Sequence, residues 1–312
     1  MDDLIYEWEK PLSNIFKFKK DLKGDIKEFK YDKTEKSQRK INYIKKLKPK
    51  VFIPIFPGTN CEYDTGKAFI KAGGEVNYQV FKNLNQNQVD ESIKYMIEKI
   101  RNTNIIAIPG GFSAGDEPDG SGKFITSVFR NPYIKESVME LIKNRDGLII
   151  GICNGFQALI KLGLVQEGKI TDIEENYPTL TFNNIGRHIS TIVKTKLTSN
   201  LSPWFNQCEL GDIHHIPVSH GEGRFAADEK WIKKLEKNGQ ISTQYVDENN
   251  KPTYNSMYNP NGSIYSIESI TSPDGRILGK MGHSERIGKN LYKNIEGNTD
   301  QNIFESGVKY FK

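Results

Sequence analysis

From residue 51 onward, short apolar runs alternate with longer stretches in which apolar residues recur every three or four positions. VFIPIF (51–56) is a continuous apolar run closed by Pro57-Gly58, the pattern of a buried strand. CEYDTGKAFIKAGG (61–74) follows as a predicted helix that Gly73-Gly74 ends. EVNYQVF (75–81) is β-like, and Val89, Ile93, Met96 and Ile97 share one side of a predicted helix over 87–101. NIIAIPGG (104–111) is a second apolar strand running into a glycine turn. Residues 123–144 read as helical with a break at Asn131-Pro132. DGLIIG (146–151) is a third clear strand, and GFQALIKLGLV (155–165) a further helix. This β-α-β-α-β-α rhythm predicts an α/β fold, a parallel-centred sheet with helices on both faces. Residues 180–282 hold more short β-like pieces and turns, among them NNIGRH, NPNGS and SPDGR.

Ahead of residue 49 the pattern changes. Leu4, Ile5, Trp8, Leu12 and Phe16 would form the apolar side of a short helix over 1–16. Residues 17–48 are Lys-rich and read as a linker, with a helix near 41–47. The chain carries a net charge of +5, but residues 17–50 hold 14 Lys+Arg against 5 Asp+Glu, so the remainder is net acidic. A local basic excess fits a solvated linker better than a nucleic-acid surface. The expected division is therefore a leader (1–48) and one domain (49–312).

Composition narrows the class further. No apolar run approaches the length of a membrane span, and MDDLIYEWEK has no signal-peptide core. Three cysteines, Cys61, Cys153 and Cys208, are too few for a disulfide scaffold and point to a reducing, cytoplasmic setting.

Three glycine-rich turns fall at predicted strand ends: PGTN (57–60), PGGFSAGD (109–116) and GICNG (151–155). Reactive groups in open α/β sheets gather at the carboxyl ends of the strands. GICNG has the form of a nucleophile elbow with Cys153 as nucleophile, its flanking glycines allowing a tight strand-to-helix turn. At a helix start, the dipole and exposed N–H groups favour thiolate. A thiolate needs a base, and the base an orienting group. Among five histidines, His283 in GHSER has Glu285 two residues on, on the same side of an extended segment. His214, His215 and His220 cluster, but no Cys or Asp set with familiar ligand spacing completes a metal site, so none is expected. Cys61 and Cys208 lack the elbow context and read as bystanders. DGSGKF (119–124) fails the spacing of a phosphate loop, so no ATP site is expected in this chain.

FPGTNCEYDT (56–65), PGGFSAGDEPDGSGKF (109–124), GICNGFQ (151–157), PVSHGEGRF (217–225) and GHSER (282–286) together resemble the glutaminase domain of phosphoribosylformylglycinamidine synthase. That family is a class I glutamine amidotransferase with a flavodoxin-like architecture. The resemblance runs from about residue 48 to the end. It implies a catalytic triad of Cys153, His283 and Glu285. It places the oxyanion hole on backbone N–H groups of Gly110 or Gly111 and of Asn154. Phe112, Ser113 and Gln157 would border glutamine, and His220, Glu222 and Arg224 would contact substrate or the partner domain. Phe156 stands where the family often has a second Cys.

The implied partners are glutamine and a synthetase domain or subunit, with ATP and magnesium needed there and no cofactor, nucleic acid or membrane here. The chain would be an excised C-terminal fragment or a separate glutaminase subunit. Two other readings remain: a cysteine amidohydrolase serving another pathway, and an inert docking module.

Overall fold

The computed structural model describes residues 4, 7–8, 10–12, 26–34, 48–115, 121–288 and 290–312. The alternating first half forms as its pattern requires. It runs β1 (Lys50–Ile55), α1 (Glu62–Lys71), β2 (Glu75–Val80), α2 (Gln86–Arg101), β3 (Ile105–Ile108), α3 (Lys123–Phe129), α4 (Pro132–Asn144), β4 (Leu148–Ile152), α5 (Asn154–Lys161) and α6 (Leu164–Glu167). β1, β3 and β4 are continuous apolar runs because helices cover both sides of them. Pro54 is tolerated in β1 because pairing with β3 stops at Phe52, before the missing N–H would matter. The break at Asn131-Pro132 is a new helix start. Asn131 Oδ1 accepts from the N–H groups of Tyr133 and Ile134, and Pro132 occupies the first turn.

The second half does not build a separate layer. β5 (Thr179–Thr181) pairs only with β8 (Arg224–Ala226). β6 (Ile189–Leu197), β7 (Ile213–His220), β9 (Ile241–Tyr245), β10 (Ile267–Thr271) and β11 (Ile277–Lys280) join the first sheet. The result is one nine-stranded sheet in the order β2-β1-β3-β4-β11-β10-β9-β6-β7. It is parallel from β2 to β11 and antiparallel beyond, so the parallel centre carries an antiparallel extension. α7 (Glu229–Lys237) leads into β9, and α8 (Ile303–Lys309) follows the last strand. α2 and α4 pack together, as right-handed crossovers on one face demand. α1 packs with α8, where the rings of Phe69 and Phe304 meet at 4.9 Å. Among the described residues, no helix is long and apolar enough to cross a membrane.

The leader differs from its expected character over 26–34. Phe29 is buried against Tyr265, and its N–H donates to Gln244 Oε1 at 2.9 Å. Tyr31 N–H donates to the Thr198 carbonyl at 2.8 Å, forming a bridge beside Ser199. Lys27 pairs with Glu236 and Glu28 with Lys196. This part of the Lys-rich stretch is a strap bound to the domain. The helix expected near 41–47 lies outside the described residues, as does most of the amphipathic start. Leu4 and Trp8 are described and are exposed.

Candidate active site

β4 delivers the chain to Cys153 and α5 begins at the next residue. Between them Cys153 adopts φ 52° and ψ −106°, a conformation a non-glycine residue takes only under constraint. The reversal sets the thiol at the helix start. The flanking glycines serve packing more than the turn. Neither has a positive φ. A Cβ on Gly155 would stand 2.1 Å from the Ile108 carbonyl oxygen, and one on Gly151 2.6 Å from the Gly155 carbonyl. α5 therefore lies directly on β3 and β4.

His283 reaches Cys153 through strand register. The parallel ladder pairs Gly279 with Gly151 and Lys280 with Ile152, and the Cys153 N–H extends it to the Lys280 carbonyl at 2.8 Å. His283 follows just beyond, its own N–H bound to the Pro217 carbonyl at 2.8 Å. Gly110 sits against both residues. A Cβ there would be 2.8 Å from His283 Cε1 and 3.4 Å from Cys153 Cβ.

His283 Nδ1 lies 2.5 Å from Glu285 Oε1, and both residues are buried. The pairing was expected from extended backbone. It arises instead from a tight turn, in which the Arg286 N–H returns to the His283 carbonyl at 3.2 Å. Burial alone would lower the His283 pKa; the Glu285 charge, then contacts with Cys153 and Cys61, raise it well above the usual imidazole value. Burial works against ionisation of Glu285 too, but His283 holds its carboxyl below the usual range. The pair is thus imidazolium and carboxylate.

The Gly110 carbonyl accepts from the N–H groups of Asn60 and Cys61, each at 3.3 Å. In a trans peptide the following N–H points the opposite way. The Gly111 N–H is therefore turned from the 57–61 loop toward the cavity that Gly111 and Cys153 line. Asn154 opens α5, so its N–H points out of the helix start beside Cys153. Its side chain ties the parts together: Oδ1 accepts from the Ser113 N–H at 3.3 Å, and Nδ2 donates to Gln157 Oε1 at 2.9 Å.

The cavity over Cys153 is about 190 Å³ and is lined by Gly111, Phe112, Gln157, His220 and Glu222 among the expected residues. Gln157 Nε2 donates to the Glu222 carbonyl at 2.6 Å, which links the elbow helix to the HGEGRF turn. His220 is buried with Nδ1 3.1 Å from Asn183 Oδ1. Burial, then the charges of His283 and His188, lower its pKa to about 3, so it is neutral. Six expected residues are not at the cavity wall: His283, Glu285 and Asn154, whose positions beside Cys153 are given above, and Gly110, Ser113 and Arg224. Gly110 lies behind Gly111, Ser113 is buried beneath the loop, and Arg224 Nε donates to the Phe182 carbonyl, bracing β5 against β8.

Sequence reasoning missed Arg187 and His188, which line the cavity from the NNIGRH turn, Phe182 just before that turn, and Ser219, whose Oγ meets His188 Nε2 at 3.0 Å. It also set Cys61 aside. Cys61 Sγ lies 3.9 Å from His283 Nδ1 and 3.3 Å from Arg286 Nη2. The available signal was its place after PGTN, at the carboxyl end of β1 with the other glycine turns. The three clustered histidines do not converge. His214 and His220 lie six residues apart on β7, roughly 20 Å along an extended strand, and His215 alternates to the other side. Among the described residues, two His/Cys/Asp/Glu groups have ligand atoms close enough to share an ion: Cys61, His283 and Glu285, and Cys208, Asp212 and His214.

Comparison with known proteins adds independent information. Residues 48–311 match the model of the CobB/CobQ-like glutamine amidotransferase domain. The chain is 35% identical over 287 residues to the phosphoribosylformylglycinamidine synthase subunit PurQ of Methanococcus maripaludis, spanning 85% of this chain and 98% of that one. It is 28% identical over 250 residues to the PurQ subunit of Aquifex aeolicus, spanning 80% and 95%. Among solved structures, that of PurLQS from Thermotoga maritima superposes with a TM-score of 0.61 at 26% identity, covering 85% of this chain and 100% of the matched chain.

Proposed function

The chain belongs to the CobB/CobQ-like glutamine amidotransferase family, and from that premise we infer that it is the glutaminase subunit of phosphoribosylformylglycinamidine synthase. It hydrolyses glutamine and hands ammonia to a synthetase partner for an amidation in purine biosynthesis. The observation that carries the reading is the meeting of Cys153, the His283–Glu285 pair and the Gly110–Gly111 peptide at the carboxyl edge of β4, β11 and β3. The relatives it resembles are themselves subunits, and the chain spans nearly their whole length.

The residues take these roles. Cys153 Sγ attacks the side-chain amide carbon of glutamine, forming a C–S bond. The oxygen that gains charge is held by the N–H groups of Gly111 and Asn154; removing one such donor costs about 3–4 kcal/mol in comparable sites. Imidazolium His283 gives a proton to the departing nitrogen, and ammonia leaves. Neutral His283 then takes a proton from water, which attacks the glutamyl thioester. The C–S bond breaks, glutamate departs with its acid proton released to solvent, and the Cys153 thiolate beside imidazolium His283 is restored. Glu285 fixes the imidazole's orientation and stabilises its charged form. Gln157, Phe112, His220 and Glu222 form the glutamine pocket.

ATP and magnesium belong, on this reading, to the synthetase partner, where ammonia displaces an oxygen of formylglycinamide ribonucleotide. A reducing, cytoplasmic location is part of the reading, and three cysteines without disulfides support it. The test is mass spectrometry after exposure to a glutamine-mimicking electrophile. One adduct at Cys153 is expected, absent from Cys153→Ala. Labelling chiefly at Cys61, or no labelling with the synthetase partner present, would overturn the assignment.

A further inference from the structure

Directly behind the catalytic turn lies an ion pair that the glutaminase mechanism does not use. Lys280 ends β11 and Glu268 lies on the neighbouring β10; both side chains are fully buried, with Nζ 3.3 Å from Oε1. Each is engaged by the segment that carries His283. Lys280 Nζ donates to the Gly282 carbonyl at 2.8 Å and to Ser284 Oγ at 2.9 Å. Glu268 Oε1 accepts from the Gly282 N–H at 2.7 Å. The other carboxylate oxygen accepts from Thr243 Oγ1 at 2.5 Å, and Ser284 Oγ donates onward to Gln301 Oε1 at 2.5 Å.

The arrangement has a specific logic. β11 stops at Lys280, so Gly282 has no strand partner for its N–H or its carbonyl, and a buried peptide group must find one. Glu268 supplies the acceptor for the N–H, and Lys280 joins the Ser284 N–H, which lies at 3.1 Å, as a donor to the carbonyl. An apolar pair of the same volume would hold the sheet together at least as well, because removing two charges from water offsets most of their attraction. It could not bind the N–H and the carbonyl of one residue. Residue 282 must also be glycine: a Cβ there would stand 2.7 Å from Ile216 Cγ2, 3.0 Å from Lys280 Nζ and 3.1 Å from Glu268 Oε1. The residues on either side of His283 are thus bound to the pair, while His283 and Glu285 bind each other.

We propose that Lys280 and Glu268 are positioning residues for the glutaminase reaction: their buried ion pair grips Gly282 and Ser284 and so fixes where the His283–Glu285 dyad stands relative to Cys153. The proposal rests on the glutaminase reading. The pair touches neither glutamine nor the reacting atoms, and acts through the backbone it holds.

The test removes both charges together, in Lys280→Met/Glu268→Gln, so that no unpaired charge is left buried. Ser284→Ala, which deletes one acceptor of Lys280 and keeps the pair, is the milder companion. Alkylation of Cys153 by iodoacetamide is followed by mass spectrometry across pH on the whole chain, and glutamine turnover with the synthetase partner. The groups that set the His283 titration are Glu285, Cys153, Cys61 and His220. In the folded double variant, kcat and the alkylation rate should fall about ten- to a hundredfold, with KM for glutamine within about twofold. The basic limb of the alkylation profile should move to lower pH, as the imidazole loses its hold on Glu285. Ser284→Ala should fall about three- to tenfold in the same sense. A folded double variant with wild-type rate and profile would overturn the proposal. If that variant does not fold, wild-type behaviour of Ser284→Ala overturns it. Failure of wild-type protein to release glutamate bears only on the glutaminase reading, since the variant-to-wild-type alkylation ratio reads the clamp by itself.

Discussion

The backbone N–H of Cys61 donates to the Gly110 carbonyl at 3.3 Å, and with its neighbour from Asn60 this contact sets the direction of the Gly111 N–H. Glycine peptides turn over easily in isolation. Here the plane is held with the Gly111 N–H turned toward the cavity, the orientation that the proposed oxyanion hole needs.

Gly111 can be only glycine in that state. Its φ is 143°, and a Cβ would meet the Gly58 carbonyl oxygen at 2.7 Å and Thr59 Cα at 2.8 Å, both backbone. Gly111→Ala should therefore displace the peptide and lower kcat about a hundred- to a thousandfold, the range for loss of one oxyanion donor. Steady-state kinetics beside circular dichroism checks this. A folded variant within twofold of wild type would remove Gly111 from the oxyanion hole.

The His283–Glu285 pair gives two graded losses. His283→Ala removes the proton donor and should cost several orders of magnitude in kcat; Glu285→Gln keeps the donor and should cost less. Because Glu285 raises the His283 pKa, Glu285→Gln should also shift the basic limb of Cys153 alkylation to lower pH. The stability consequence follows from the signs. His283 is raised, so its contribution is complete below its unfolded value of 6.5 and lost as pH rises through the folded value. Glu285 is depressed, so its contribution is complete above 4.5 and lost as pH falls through the folded value. Both are complete between 4.5 and 6.5. Thermal melts of Glu285→Gln should differ most from wild type in that window. A pH-independent difference would contradict the ionised pairing.

His220 works in the opposite direction. Its folded pKa of about 3 lies below the unfolded 6.5, so the unfolded chain binds a proton that the folded one excludes. Stability falls as pH drops from 6.5 toward 3. His220→Gln should flatten the melting temperature against pH on the acid side. An unchanged acid slope would mean that His220 is not the neutral, buried group described.

Gly155→Ala tests the packing that seats the elbow. The added Cβ would stand 2.1 Å from the Ile108 carbonyl oxygen, so α5 must lift from β3. A loss of about 1–3 kcal/mol in stability is expected. Chemical denaturation measures it, and a neutral effect would show that α5 has room to move.

Where neighbours in sequence decide the structure, the sequence was readable. β1 through α5 follow from apolar runs, glycine turns and the Asn131-Pro132 helix start, and Cys153 from its elbow. Long-range pairing decides the rest. Arg187 and His188 reach the cavity because Ile189 on β6 pairs with His220 on β7, a register that local periodicity does not contain. Phe29 lies in a stretch whose lysines mark it as solvated, yet the aromatic ring finds Tyr265 more than 230 residues away in the chain. Cys61 joins His283 only because β1, β3, β4 and β11 lie side by side. The buried Lys280–Glu268 pair reads in sequence as two ordinary surface charges.

Ammonia supply to a synthetase through Cys153 is the function that the proposed mechanism requires. It is tested most directly by combining the chain with its synthetase partner, formylglycinamide ribonucleotide and ATP, and measuring amidation with glutamine and, separately, with ammonium salt. Cys153→Ala should abolish the glutamine-dependent reaction and leave the ammonia-dependent reaction at its wild-type rate. Glutamine-dependent amidation that survives Cys153→Ala would contradict the account.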